Sequence, residues 1–173
     1  MNFLGNENDK QKTEQASVES GVDAQIVYSP TAGKIIPLNQ VDDDVFKDEI
    51  VGKGIGVQPE LPVVYSPVNG IVKYIPKTKH AVLVLSDDGV EVLIHIGIDT
   101  VNLKGQFFES IVQVNDKVQV GDELVKFDLK EIEKLGYSTV IPVVITNTGD
   151  YSRVEVTSKE SIGVSEILIK VIK

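Results

Sequence analysis

The chain has 173 residues and a formal net charge of −9, with no cysteine, no tryptophan and only two histidines. At ~100–200 residues per domain, this length predicts one domain with a substantial hydrophobic core. The lack of cysteine excludes disulfide scaffolds, thiolate zinc sites and cysteine nucleophiles. The acidic balance argues against nucleic acids and anionic membrane surfaces as partners, because both repel an acidic protein.

The sequence also lacks the signals that take proteins into or across membranes. No stretch approaches the ~18 consecutive apolar residues of a membrane helix, so no stable membrane insertion is expected. The N-terminus shows no basic region followed by an apolar stretch, and hence no secretory signal. Residues 1–20 are polar and lack apolar periodicity, which predicts a disordered tail ahead of one domain over 21–173. Together these features predict a cytoplasmic protein.

The residue types favour an all-β domain. Val and Ile total 46 residues against 15 for Leu and Ala, and β-branched side chains suit a pleated sheet better than a helix. Many short strands with frequent turn residues are typical of an antiparallel sandwich or barrel. The predicted strands are 25–29, 33–37, 55–58, 63–66, 70–75, 81–86, 90–96, 118–119, 123–127, 139–146, 153–157 and 165–172. Pro142 demotes part of the run 139–146 to an edge or a bulge.

Helix is expected only as a few short turns. Asp128 and Glu131 have the spacing of a capping box and Gly136 supplies a stop signal, which predicts a helix over 129–135. Apolar residues on one side of the segment 41–50 predict another short helical turn.

A sequence echo connects two turns of the chain. Segments 29–35 and 66–72, which lie 37 positions apart, share the pattern Ser-Pro-x-x-Gly with a β-branched residue two positions after the glycine. In both segments, Pro and Gly indicate a turn, and a strand begins directly after it. A looser third hairpin is predicted over 118–125. The repetition suggests a core assembled from repeated β-hairpin units.

Both histidines lie in the segment 78–99, where two alternating apolar runs flank the hairpin turn sequence Ser-Asp-Asp-Gly. A two-residue turn would pair His80 directly with His95. A three-residue turn would pair Ala81 with His95 and leave His80 one step away. In either register the two imidazoles end near each other at the open end of the hairpin.

Two neighbouring imidazoles can bind a metal, act as a nucleophile and its assistant, or simply pack. Gly97 permits close backbone approach, and its carbonyl could hold Nδ1–H of His95, leaving Nε2 as the nucleophilic nitrogen. Asp99 adds a carboxylate near the ring. It is equally a candidate N-cap for a helix that begins at Thr100 and Val101.

Two histidine motifs, Thr-Lys-His-Ala at 78–81 and His-Ile-Gly-Ile-Asp at 95–99, are highly specific in this order and at this spacing. Further characteristic stretches are 45–46, 50–54, 66–70, 100–105, 118–122, 127–129 and 142–147. With these motifs the sequence resembles the glucose-specific enzyme IIA family of the bacterial sugar phosphotransferase system. The similarity covers about residues 25–173, nearly the whole predicted domain.

The resemblance implies a compact antiparallel β-sandwich of the duplicated hybrid motif type, with the histidine pair in a shallow, mostly apolar depression. It implies that His95 is phosphorylated on Nε2 and that His80 is an accessory histidine. It also implies that Thr78 orients His80 through a hydrogen bond. The surrounding partner-binding surface is implied at three positions, Phe46, Asp99 and Val101.

The implied activity is that of a phosphoryl carrier. The family accepts a phosphoryl group from the phosphocarrier HPr and passes it to the IIB domain of a glucose-type sugar permease; in some bacteria it also docks regulatory targets. No cofactor is expected beyond the transient phosphohistidine, and no metal is required, although adventitious zinc at His80 and His95 is conceivable. Pro76 departs from relatives that carry an aromatic residue there, which puts the rim contacts in doubt.

Three alternative functions are weighed against phosphoryl transfer. A zinc-dependent hydrolase of the lysostaphin type needs a third imidazole or carboxylate through a His-x-His pair, but Gly97 occupies the second position and the chain has no third histidine. A regulatory binding module that docks permeases or metabolic enzymes is compatible with phosphotransfer. A biotinyl or lipoyl carrier would display a lysine at a hairpin tip, where this chain has Asp-Asp-Gly.

Overall fold

The computed structural model describes residues 23–173, and the tail predicted for residues 1–20 lies outside this range. The described chain is built mostly of short strands, as its Val and Ile content predicts. They are β1 Ala24–Tyr28, β2 Gly33–Ile36, β3 Lys53–Pro59, β4 Val63–Tyr65, β5 Gly70–Tyr74, β6 Ala81–Ser86, β7 Glu91–His95, β8 Phe108–Ser110, β9 Lys117–Val118, β10 Glu123–Phe127, β11 Ile141–Ile145, β12 Arg153–Val156, β13 Ser161–Ile162 and β14 Ile167–Ile172.

The strands form three sheets, and the paired strands run antiparallel. The largest sheet has eight strands in the order β13-β2-β3-β11-β7-β6-β5-β9, and the others have the orders β1-β14-β12 and β4-β10-β8. Their inner faces enclose a core that is mainly Val and Ile. In β6 and β7, for example, Val82, Val84, Val92 and Ile94 are fully buried. The all-β antiparallel fold predicted from the sequence is confirmed.

Two strands were not predicted, and one prediction about a strand is wrong. β8 and β13 contain only three and two residues, too few for a period-two pattern to be visible. Pro142 was expected at an edge or a bulge, yet β11 lies between β3 and β7 in regular register. Its ladder with β7 begins only at Val143, so the residue that lacks an N–H lies just outside that ladder.

The sequence echo corresponds to a structural repeat. The amide of Tyr28 donates to the carbonyl of Pro67 at 2.9 Å, and the amide of Tyr65 donates to that of Pro30 at 2.8 Å. In each copy the buried serine that follows the tyrosine donates its hydroxyl to the carbonyl two residues later. The two turns therefore bind each other reciprocally and open β2 and β5 in equivalent ways.

The hairpin of β6 and β7 adopts the three-residue turn, with Asp87–Gly89 as the loop. Gly89 has a φ of 93°, the left-handed conformation that such a loop needs and that glycine adopts without strain. The register pairs Ala81 with His95. This outcome selects the second of the two predicted registers.

The helical segments within residues 23–173 are short. They are Leu38–Gln40, Asp44–Lys47, Thr100–Leu103, Leu129–Lys134 and Thr148–Asp150. Asp128 caps the fourth, accepting the amide of Glu131 at 3.2 Å, as its spacing predicts. Asp43 caps the second in the same manner, accepting the amide of Val45 at 2.9 Å. Across the described residues, no helix is long and apolar enough to cross a membrane.

Candidate functional site

The open end of the β6–β7 hairpin brings the two histidines together. The amide of Ile96 donates to the carbonyl of His80 at 2.7 Å, which extends the hairpin pairing one step past Ala81 and His95. The two imidazole centroids lie 4.8 Å apart, and the rings meet edge to face at 83°. Strand pairing therefore brings the two imidazoles together, as both of the predicted registers implied.

The first ring is oriented by the backbone that follows it. Nδ1 of His95 lies 2.7 Å from the carbonyl oxygen of Gly97. Because a carbonyl oxygen can only accept a hydrogen bond, Nδ1 carries the proton. In the neutral ring this leaves the lone pair on Nε2. Gly97 has a φ of 80°, and its amide donates to Val140 at 3.1 Å, so the carbonyl is held by the adjoining strand region.

The second ring is oriented by a threonine two residues earlier. The Thr78 hydroxyl lies 2.6 Å from Nδ1 of His80. A hydroxyl can donate or accept, so the contact allows either tautomer of His80. In both cases Nδ1 is occupied, and Nε2 is the ring nitrogen that remains for other groups.

Both imidazoles favour the neutral form. Burial lowers the pKa of His95, against the opposing effects of the Gly97 carbonyl and of the Asp43 and Asp99 carboxylates. Burial and then the neighbouring His95 lower the pKa of His80 to about 4. Near pH 7 the site therefore holds two uncharged imidazoles, and His95 has an unprotonated Nε2.

The segment 41–50 forms one wall of the site. The ring centroids of Phe46 and His95 lie 5.0 Å apart. Phe46 is buried in a small hydrophobic core that also contains Leu38, Val41, Ile98 and Val144. Its helix begins after Asp43, whose carboxylate acts on the charge of His95. The proximity of Asp43 to His95 was not predicted, because no local pattern connects the two segments.

Exposed apolar side chains lie on the two segments that contribute Phe46 and Asp99 to the site, and we call them the apolar rim. Val101 and Phe46 were both expected to bind partners. Val101 is 48% exposed, whereas Phe46 is only 4% exposed and offers little area to a partner. Val45 and Ile50 were not selected among the predicted site residues, although they are 42% and 70% exposed on the segment that carries Phe46. Val45 was expected on the same apolar side of the segment 41–50 as Val41 and Phe46; this was wrong, because those two are buried and Val45 is exposed.

Asp99 occupies the N-cap position of the helical turn Thr100–Leu103, but its side chain makes no capping hydrogen bond. It has a φ of 60°, an uncommon conformation for a residue with a side chain. Its carboxylate instead favours protonation of His95. Asp99 therefore takes the N-cap position that the sequence allowed, but without a side-chain cap.

The side chains that could ligate a metal at this site are the two imidazoles. Within residues 23–173, no group of three or more His, Cys, Asp and Glu side chains is arranged to hold an ion. Two imidazoles alone are fewer ligands than structural or catalytic zinc sites use.

Known proteins resemble the chain in both sequence and fold. Residues 25–151 match the family described as phosphoenolpyruvate-dependent sugar phosphotransferase system, EIIA 1. The chain is 46% identical over 140 residues to the PTS system beta-glucoside-specific EIIBCA component of Bacillus subtilis (strain 168), covering 81% of this chain and 23% of that protein. It is 44% identical over 129 residues to the PTS system glucose-specific EIIA component of Oceanobacillus iheyensis, covering 75% of this chain and 78% of that one.

The glucose permease IIA from Mycoplasma capricolum superposes on this fold. The TM-score is 0.80 at 35% sequence identity, and the match covers 86% of this chain and 96% of that one. This likeness confirms the β-sandwich architecture expected from the sequence. From its sequence match, its histidine pair and its fold, the chain belongs to the EIIA family of the phosphoenolpyruvate-dependent sugar phosphotransferase system.

Proposed function

We propose that the chain is a phosphoryl carrier that receives a phosphoryl group on Nε2 of His95 and passes it on. The observation that carries this proposal is the 2.7 Å contact between Nδ1 of His95 and the carbonyl of Gly97. Because this carbonyl accepts a hydrogen bond, the single N–H proton of the neutral ring is on Nδ1, and Nε2 keeps the lone pair that makes it a nucleophile. Family membership supports the same chemistry.

In the accepting step, the lone pair of Nε2 attacks the phosphorus of a donor phosphohistidine. The new P–N bond forms on His95 while the P–N bond of the donor breaks, and its electron pair returns to the donor imidazole. The modified ring keeps its Nδ1 proton and gains positive character. The Gly97 carbonyl and the carboxylates of Asp43 and Asp99, which favour a charged His95, stabilise this ring.

In the donating step, a thiolate of the acceptor attacks the phosphorus in line with the P–N bond. The P–S bond forms, the P–N bond breaks, and the electron pair returns to Nε2 of His95. His80 serves as the accessory group, since its ring lies 4.8 Å from that of His95 and its Nδ1 is occupied by Thr78. When Thr78 donates to Nδ1, the proton of His80 is on Nε2 and can bond to a phosphoryl oxygen.

The partners of this relay are proposed from the family and from the rim. The donor is HPr, and the acceptor is the IIB domain of a glucose-type permease in the cytoplasm. The relatives named EIIBCA and EIICBA components support a IIB acceptor, because B and A parts share one name there. Val101 and Asp99 lie at the docking surface, and Phe46 supports it from beneath. The proposed carrier domain is 21–173, with no resident cofactor.

The apolar rim has a second role in the proposal. When a partner docks on Val45, Ile50 and Val101, water is excluded from the phosphoryl group during transfer. The phosphoryl group then moves to the acceptor rather than to water. No observation favours a hydrolase.

Transfer from phosphorylated HPr tests the proposal. Radiolabelled phospho-HPr should label the chain with an acid-labile, alkali-stable adduct, and mass spectrometry should place it on His95. His95→Gln should remove the label while preserving the fold, and His80→Gln serves as the control that keeps His95. Full labelling of His95→Gln would refute the assignment.

A further inference from the structure

The turn that precedes His80 contains a strained residue. The amide of Lys79 donates to the carbonyl of Pro76 at 2.9 Å, which closes a four-residue turn. Lys79 then adopts a φ of 58°, in the left-handed region that residues with a side chain rarely enter. Backbone strain of this kind persists where surrounding contacts enforce it, and it concentrates at functional sites.

Lys79 lies between the two residues whose side chains form the accessory pair. Thr78 precedes it and His80 follows it, and the Thr78 hydroxyl contacts Nδ1 of His80 at 2.6 Å. The His80 backbone is meanwhile tied to β7 through the amide of Ile96. With His80 held on one side and the turn closed on the other, the backbone of Lys79 determines whether the Thr78 hydroxyl reaches the ring.

A second loop of the site lies beside this turn. A Cβ placed on Gly105 would lie 3.6 Å from the carbonyl oxygen of Lys77 and 3.8 Å from Cα of Thr78. The loop that contains Gly105 follows the helical turn Thr100–Leu103. The segment after His95 therefore passes close to the turn before His80.

We propose that Lys79 is a positioning residue for phosphoryl donation, and that its left-handed backbone, rather than its ammonium group, keeps Thr78 on Nδ1 of His80. This inference rests on the proposed phosphocarrier function. It predicts that the rate of donation in Lys79 variants depends on how well the new residue tolerates a positive φ, and not on its charge. Glycine and asparagine tolerate this conformation, alanine less so, and valine least.

The experiment compares Lys79→Gly, Lys79→Asn, Lys79→Ala and Lys79→Val in the full chain. Ser165→Val is the matched control, because Ser165 has a φ of 62° and also donates its amide to a backbone carbonyl, in the turn between β13 and β14. Nitrogen NMR of the imidazoles reports the tautomer and hydrogen bonding of His80 without any transfer reaction. Rapid-quench assays then measure acceptance from phospho-HPr and donation to a IIB domain separately.

Lys79→Gly and Lys79→Asn should retain the His80 spectrum and donate at the parent rate. Lys79→Val should lose the Nδ1 hydrogen bond and donate roughly tenfold more slowly while still accepting, with Lys79→Ala in between. Ser165→Val should keep both rates. Loss of donation in Lys79→Asn would overturn the proposal in favour of the charge, and an unchanged His80 spectrum in Lys79→Val and Lys79→Ala would overturn it outright. Failure of the parent to accept phosphate would instead refute the proposed function.

Discussion

The rings of His80 and His95 meet edge to face, with their centroids 4.8 Å apart. Their backbones belong to antiparallel strands of one hairpin, so the distance between the rings is set by strand pairing and not by flexible loops. Each Nδ1 is bonded within its own segment, to Thr78 and to Gly97. The pair is consequently preorganised before any partner arrives.

Acidification should destabilise the protein through these two histidines. Burial lowers the pKa of both, that of His80 to about 4, whereas the ordinary value in the unfolded chain is 6.5. Between those values the unfolded state binds more protons, so the free energy of unfolding falls as the pH drops from 6.5 towards 4. Urea unfolding at pH 7 and pH 4.5 measures the loss.

Carboxylates also titrate at low pH, so this measurement needs a reference. The double variant His80→Gln/His95→Gln keeps every carboxylate and removes both imidazoles. Its free energy of unfolding should fall by less than that of the parent over the same pH interval. Equal losses in the two proteins would show that the histidines do not contribute.

The two half-reactions should respond differently to removal of the accessory ring. In His80→Ala the Gly97 carbonyl still orients His95, so acceptance from phospho-HPr should stay near the parent rate. Donation to a IIB domain should slow by about a hundredfold, the scale of one lost acid–base or hydrogen-bonding group. Single-turnover assays of each step measure the ratio. If both steps slowed equally, His80 would have no specific part in donation.

Gly97 should tolerate no side chain. A Cβ there would lie 2.5 Å from Cγ2 of Thr100 and 3.0 Å from the carbonyl oxygen of Ser138, in a backbone with a φ of 80°. Gly97→Ala is expected to lower the free energy of unfolding by about 3 kcal/mol, the sum of clash and backbone strain. It should also displace the carbonyl that holds His95. Chemical denaturation and the rate of phosphate acceptance measure the two effects.

Substitutions at two other glycines distinguish the cost of the clash from the cost of the backbone strain. Gly136 has a φ of 90° with nothing within 4 Å of an added Cβ, so Gly136→Ala should cost only the backbone strain, about 1 kcal/mol. Gly149 is equally uncrowded and has no positive φ, so Gly149→Ala should be nearly neutral. If Gly97→Ala behaved like Gly136→Ala, the packing against Thr100 would be of no consequence.

The exposed rim should matter for encounter with partners and not for folding. Ile50 is 70% exposed and Val101 48% exposed, so Ile50→Ser and Val101→Ser should leave the unfolding free energy within about 0.5 kcal/mol of the parent. Each should weaken productive docking of HPr several-fold by removing apolar contact area. Ile167→Ser, at 44% exposure in β14, is the matched control. A similar loss in the control would indicate a nonspecific effect.

Several features that depend on neighbours along the chain were predicted from the sequence by itself. Alternating Val and Ile runs predicted most of the strands, and the turn residues predicted the hairpin that carries both histidines. The short spacing from His95 to Gly97 predicted the hydrogen bond of Nδ1, whereas the contact between Thr78 and His80 was expected from the family resemblance. Contacts between such near neighbours are local, so residue type and spacing are enough to anticipate them.

Only the tertiary structure decided what distant segments do to the site. Phe46 and Asp43 reach His95 through packing of the segment 41–50, which no periodicity encodes. Pro142 lies in a central strand, next to the residue where the ladder with β7 stops, and this position follows from the order of the strands in the sheet. The turn sequence allowed His95 to pair with either His80 or Ala81. The pairing with Ala81 occurs together with the left-handed conformation of Gly89 in a three-residue turn.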